Sequence, residues 1–401
     1  MSSFDRGRAF DGERGDGVVV KRIGLALIAA LIFIAALSFY TFAEDEQIDC
    51  YDEYRQMLEA LPDEVASLFP EKLFSGNIQD VADGAQEITD FGYIIKTVFS
   101  FIGLEIGGIL KLFVTLLGIL ILAATMNVLK DSFSSTALSS AFSVCTSCTV
   151  FLVAAASQYT IVRAVSDFFT RICTLANTMI PLMGALYAMG GNVGSAVVNH
   201  SSLIIFMNIV ENFCARSALP MAGVCMAFAG ANALSPDISL GGIAGVFKKF
   251  YTNTLTFVMT IFGTVMTAQN LLASKADTLA GKTAKFAVGN LIPVVGSALA
   301  GTLGTVGTSI EYIRSSVGVI GIIGVILMVV PTIITLLLTK LVLSLASGTA
   351  EILGCGREGK IIGELSGING FLLAAACICS VTFIFLLTLF AKCSSAVGGG
   401  I

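Results

Sequence analysis

LFVTLLGILILAATMNVL, residues 112–129, decides the fold. The run carries no charge, and at 1.5 Å per residue it makes a helix of about 27 Å. The hydrocarbon core of a bilayer is roughly 30 Å thick and holds no water to satisfy a peptide group. The run therefore predicts a membrane-spanning helix that closes its own backbone hydrogen bonds. Runs of similar character occur at 139–161, 172–190, 195–215, 218–234, 253–273, 315–339 and 369–391. Three are weaker: 172–190 is interrupted by Pro181, 195–215 contains His200 and Glu211, and 218–234 is short. The reading is an all-α polytopic membrane protein with about seven or eight transmembrane helices plus a re-entrant or broken segment.

Composition agrees with this. Of 401 residues, 55% are apolar and 13% charged, against about 25% charged in a soluble domain. The charge is unevenly placed. Fourteen of the 28 acidic residues lie within residues 44–90, beside only Arg55 and Lys72. The net charge of −5 thus averages an acidic segment and a mildly basic membrane body. No basic cluster interleaved with aromatics is present, which excludes a nucleic-acid partner.

Five regions follow. Residues 1–20 are polar and lack an apolar period, as in a disordered cytoplasmic tail. Lys21-Arg22, a long apolar run and Thr41-Phe42-Ala43 make residues 21–43 a signal peptide or signal anchor. Cleavage between Ala43 and Glu44 and retention of the run both remain open. The positive flank stays inside and residues 44–97 form an acidic extracytoplasmic helical segment. There Met57, Leu58, Leu61, Val65 and Leu68 recur at helical spacing, with Pro62 and Pro70 as breaks. The segment reads equally as a solvated lid and as a docking surface. Residues 98–393 form the polytopic membrane domain, and 394–401 a flexible tail. Lys130, Lys248-Lys249, Arg357 and Lys360 suit cytoplasmic loops, which leaves Lys275, Lys282, Lys285 and Arg314 on the other side.

Chemistry-bearing motifs are scarce. Gly281-Lys282-Thr283 resembles the end of a phosphate-binding loop, but Ala276 stands where that loop needs glycine. His200 is the sole histidine, and a lone histidine in an apolar run reads as a polar contact between helices. Cys145-x-x-Cys148 has no second pair and no nearby histidine, so these thiols read as packing groups. Glu211 reads as an acid at a helix end reaching the interface. No catalytic, cofactor-binding or metal-ligating set emerges, and the pattern points away from an enzyme.

The most informative stretch is TAKFAVGNLIPVVG, residues 283–296. Gly289, Pro293 and Gly296 oppose one continuous helix, and Lys285 and Asn290 are polar within apolar surroundings. Such a segment needs protein or water around it at membrane depth. Thr283, Lys285, Phe286, Gly289, Asn290, Pro293 and Gly296 are therefore the candidate pore-lining or packing residues.

This stretch resembles the stage III sporulation protein AE family of endospore-forming bacteria. Ile180-Pro181-Leu182, Ala185-Leu186, Gly190-Gly191, His200 and Pro220 match shorter elements of the same pattern, and the likeness covers about residues 44 to 393. The family's histidine is followed by proline and here by Ser201. The charged extension before Lys21 also departs from the family. The resemblance implies a non-enzymatic subunit of the channel complex that links mother cell and forespore during engulfment. It implies the other stage III A operon proteins as partners, including an ATPase and ring-forming subunits, and stage II sporulation protein Q across the intermembrane space. The expected location is the mother-cell membrane surrounding the forespore, in contact with lipid and compatible with a homo-oligomer. The rival reading is a stand-alone secondary transporter for a small solute.

Overall fold

A chain that buries apolar surface in lipid must satisfy its peptide groups internally, and helices do so without a partner segment. The computed structural model describes residues 51–74, 84, 87–88, 91–130, 136–234, 241–291 and 296–392, with backbone alone for stretches that include 284–285, 287–291 and 296–306. The chain divides into two compact units, Met1–Phe42 and Ala43–Ile401, and every described residue belongs to the second. The expected tail, the export signal, Ala43 and Glu44 lie outside the described residues.

Among the described residues there is no strand. Two short helices, α1 (Tyr51–Glu59) and α2 (Asp63–Ala66), and a 3-10 turn, Glu71–Phe74, come first. Long helices follow: α3 (Phe91–Lys130), α4 (Thr136–Met189) and α5 (Val193–Ile209). A π-helical turn, Val210–Ala215, joins α5 to α6 (Arg216–Leu234). The last three are α7 (Gly241–Leu291), α8 (Gly296–Ile352) and α9 (Gly356–Ala391).

Six stretches among the described residues are long and apolar enough to cross a membrane. Two expected pairs of runs fuse. The expected runs 139–161 and, up to Met189, 172–190 belong to the single helix α4, and 195–215 and 218–234 run on through the π-helical turn. Pro181, Pro220 and Pro331 all lie inside helices. Proline removes one N–H and crowds a carbonyl one turn back, but packed neighbours hold the helix through that defect. With 54 and 57 residues, α4 and α8 are roughly 80–85 Å long, more than twice the ~30 Å core. Much of each helix therefore extends beyond the hydrocarbon. Arg163, Asp167 and Arg171 lie four apart and exposed midway along α4.

The long helices alternate in direction. At one end of the bundle Asn127 of α3, Ser147 of α4, Asn232 of α6, Lys248 of α7 and the start of α9 meet. At the other end the last turns of α4 and α9 meet the start of α5 and the N-terminal part of α8. Two reversals are tight. Gly191 and Gly354 have φ of 71° and 75°, the left-handed region where a side chain is strained. In each, the next amide reaches back to a carbonyl five residues earlier: Asn192 to Tyr187 at 2.9 Å and Cys355 to Ala350 at 2.8 Å.

Helix α8 is the centre, with 78% of its most apolar window buried. Its glycines admit three neighbours. A Cβ on Gly318 would meet Ala391 at 2.6 Å, on Gly321 Met179 at 2.8 Å, and on Gly324 Leu61 at 3.1 Å. The last contact brings in α1 and α2. Met57, Leu58, Leu61, Val65, Phe69 and Leu73 are buried there, while Arg55, Glu59 and Asp63 are exposed. The Tyr54 hydroxyl donates to Leu73 O at 3.1 Å, and Tyr93 donates to Leu68 O. Burial beside Glu87 raises the Tyr93 phenol above its usual range, so it remains a donor at neutral pH. Beneath this cover lies a cavity of ≈ 250 Å³, lined by residues including Pro62, Val65, Glu105, Asp167, Arg171 and Pro331.

Two outcomes follow for the purified chain in detergent. Gly191→Ala should lower the thermal midpoint, because a non-glycine residue in the left-handed region costs roughly 1–2 kcal/mol. Gly107→Ala, where an added methyl meets nothing within 4 Å, should not. Equal midpoints for the two variants would refute the turn assignment. Gly324→Val should dislodge Leu61 and speed tryptic cleavage at Arg55 and Lys72; an unchanged cleavage rate would contradict the packing of α1 and α2 on α8.

Candidate functional site

The polar core at one end of the bundle begins with the reversal after α4. Tyr187 is fully buried in the last turns of α4, with Phe390 of α9 edge-on at 5.3 Å between ring centroids. Gly190-Gly191-Asn192 turns the chain, and α5 starts at Val193. The first amides of α5 have no partner within their own helix. Asp277 of α7 supplies one: Gly194 N–H donates to Oδ1 at 2.9 Å and Ser195 N–H to Oδ2 at 2.7 Å. A carboxylate at a helix N-terminus also meets the positive end of the helix dipole. Gly194 allows the approach, since a Cβ there would lie 2.8 Å from Oδ1.

One turn further along α5, the two N–H groups of Asn199 Nδ2 are shared among three acceptors, the Tyr187 hydroxyl at 2.7 Å, Asn270 Oδ1 at 2.9 Å and Ser195 O at 3.0 Å. Asn270 lies two turns before Asp277 on α7, so both residues face α5. From α8, Arg314 reaches the same place. It is fully buried, donates through Nη1 to Asn192 Oδ1 at 3.4 Å, and places its guanidinium carbon 5.2 Å from the Tyr187 ring centroid. Four helices thus contribute one connected set: Tyr187, Asn192, Asn199, Asn270, Asp277 and Arg314.

A second polar set closes the opposite end. Asn232 donates to Glu364 Oε1 at 2.7 Å, and Lys248 Nζ donates to Glu364 O at 3.4 Å. Arg357 Nη2 donates to Ala233 O at 2.6 Å, capping the last carbonyls of α6 where a cation complements the dipole. Ser147 donates to Glu358 Oε1 at 2.8 Å.

Thr283 and Phe286 are exposed on the last turns of α7, and the Thr283 hydroxyl donates back to Leu279 O at 2.9 Å. Lys285, Gly289 and Asn290 lie on the helical backbone of α7, which ends at Leu291. Gly296 is the first residue of α8. Pro293 and the side chain of Lys285 lie outside the described residues. The stretch begins on α7 six residues after Asp277.

Sequence reasoning missed the core itself. Arg314, expected with the extracytoplasmic loops, lies within α8 and is wholly buried, because the flanking Gly and Ser residues hid its helical register. His200, expected at a contact between helices, is exposed on α5. Glu211, expected at a helix end, sits in the π-helical turn and pairs with Arg216 at 2.6 Å. Cys145 is exposed and Cys148 half-buried on α4. The Asn232 and Glu364 pairing had no local signal, since the partners lie 132 residues apart.

The family model described as stage III sporulation protein AE matches residues 74–396. Stage III sporulation protein AE of Bacillus subtilis (strain 168) is 22% identical over 233 residues. That alignment covers 58% of this chain and 58% of the relative, so the chain spans under two thirds of the relative's length. No solved structure matches. The family match runs from the 3-10 turn at Phe74 past the end of α9, and so takes in both polar ends and the α7–α8 stretch. This helical, membrane-spanning chain belongs to the stage III sporulation protein AE family.

Proposed function

We propose that this chain is a non-enzymatic membrane subunit of the sporulation channel complex linking mother cell and forespore, required for forespore development. What supports the reading is the family match over residues 74–396 laid on an all-helical body with six spanning-length stretches. The seat of action is the mother-cell membrane around the forespore. The signal or anchor at 21–43 directs export, and the acidic segment 44–97 faces the space between the two membranes. Stage II sporulation protein Q is the partner across that space. The other stage III A operon proteins, an ATPase and ring-forming subunits among them, complete the assembly.

In this reading the membrane domain at 98–393 is a rigid platform. The Asp277 cap and the Arg357 cap each tie a helix end to a distant helix, so the bundle resists splaying at both ends. The stretch 283–296 braces or lines the central path, with Lys285 and Asn290 as its polar groups and Gly289, Pro293 and Gly296 setting its shape.

The test uses an endospore-forming host whose only copy of the gene encodes this chain. Lys285→Ala should reduce heat-resistant spores sharply while the protein stays at its normal level in the membrane fraction. Full spore yield from that variant would remove the 283–296 stretch from the reading. Full yield after deletion of the whole gene would remove the sporulation role.

A further inference from the structure

We propose that the core around Tyr187 binds a small oxyanion of the carboxylate or phosphate type, with Arg314 as its receptor. The inference stands on this chain's geometry and does not rest on the sporulation role.

Arg314 has no exposed surface, and a guanidinium stays charged at any physiological pH. A buried cation is strongly unfavourable unless an anion and hydrogen bonds compensate it. Here its hydrogen bond is a long one, 3.4 Å, to the neutral amide oxygen of Asn192. The Tyr187 ring at 5.2 Å adds a cation–π contact, which supplies no acceptor for the N–H groups. Among the described residues Arg314 belongs to no ion pair within 4.0 Å. Its Nε and Nη2 have no hydrogen-bond partner.

The surrounding groups deepen the imbalance. Asn270 Nδ2 is also buried and without a partner. Its amide is not open to reversal, because Asn270 Oδ1 accepts from Asn199, and Asn199 Nδ2 also donates to the carbonyl of Ser195 at 3.0 Å. Among the described residues, the buried side-chain atoms of this core without a partner, Arg314 Nε and Nη2 and Asn270 Nδ2, are all nitrogen donors. Neither Asp277 nor Glu311 pairs with Arg314 within 4.0 Å. Both oxygens of Asp277 hold the α5 amides. Glu311, one turn before Arg314, has interactions of its own. The sequence from Thr278 to Ile310 contains no Asp or Glu.

A surplus of donors around a fixed positive charge calls for an acceptor that carries negative charge. Water would satisfy the N–H groups and leave the charge uncompensated. A carboxylate or phosphate does both, and its two oxygens match the fork presented by Nε and Nη2. Tyr187 and Asn270 would then border the ligand.

The experiment uses the full chain purified in a neutral detergent. Thermal unfolding is followed in sodium chloride, sodium phosphate and sodium acetate at matched ionic strength. Phosphate, acetate or both should raise the midpoint with a saturable dependence, and which of them does so separates the two sources. Arg314→Met should abolish that dependence, while Arg314→Lys should retain it with a weaker half-saturation point. Arg314→Met that responds to phosphate like the parent would overturn the proposal, since the effect would then be general salting-out. So would a parent chain that responds equally to all three salts. If Arg314→Met does not fold, equilibrium dialysis of the parent chain against radiolabelled phosphate and acetate decides. Saturable, stoichiometric uptake of either supports the site, and uptake of neither overturns it.

Discussion

Every peptide group that enters hydrocarbon must find its hydrogen-bond partner inside its own helix, and this constraint governs the whole molecule. It explains why elements of 36 to 57 residues make up most of the bundle. It also explains where polar chemistry concentrates. Helix ends expose amides and carbonyls with no partner within the helix, and these must be met by side chains when the ends are buried. Asp277 meets two amides of α5 and Arg357 meets a carbonyl of α6. The two polar sets are thus a consequence of helix ends lying inside protein.

That origin fixes how the rest packs. Long helices pinned at both ends have little freedom to slide, so contacts along their length must be complementary. Gly318, Gly321 and Gly324 provide this on α8 by taking Ala391, Met179 and Leu61 into the space a side chain would fill. In lipid there is no hydrophobic force between helices, and such close approach supplies dispersion contacts in its place. The same run admits the segment 51–74, so an element rich in acid is held on its inner face by apolar contacts together with the Tyr93 hydrogen bond to Leu68 O. Its breaks at Pro62 and Pro70 let three short pieces follow the bundle surface, which one straight helix could not do.

What could be read beforehand was set by local chemistry. The uncharged run at 112–129 is a helix by its own composition, and it is one in α3. The apolar positions from Met57 to Val65 repeat with helical period, and they are the buried ones. The motif at 283–296 named the family. By contrast, proline was given too much weight. Pro181 suggested an interruption of the span 172–190, yet α4 continues for eight residues beyond it because neighbours hold the backbone there. The polar core was illegible for another reason. Asn192 and Arg314 are 122 residues apart, and Asp277 and Ser195 are 82 apart. No local period reports a pairing made by the fold as a whole.

The two ends of the bundle differ in a way that bears on their roles. At the Glu364 end the charges are mixed: Lys248 and Arg357 lie among Glu358 and Glu364, and each cation reaches a carbonyl. At the Tyr187 end Asp277 is spent on backbone amides, and Arg314 is left with a neutral oxygen and an aromatic face. A cation–π contact contributes about 0.5–2 kcal/mol, whereas desolvating a charge costs several kcal/mol per ion. Substituting a well-packed apolar residue would remove that deficit, so packing alone gives no reason to keep an arginine there. The imbalance is confined to the core from which α7 and α8 run on toward the 283–296 stretch. What sets this end apart is that its cation and its carboxylate are not paired with each other: Asp277 holds backbone amides, and Arg314 holds a neutral oxygen and an aromatic face.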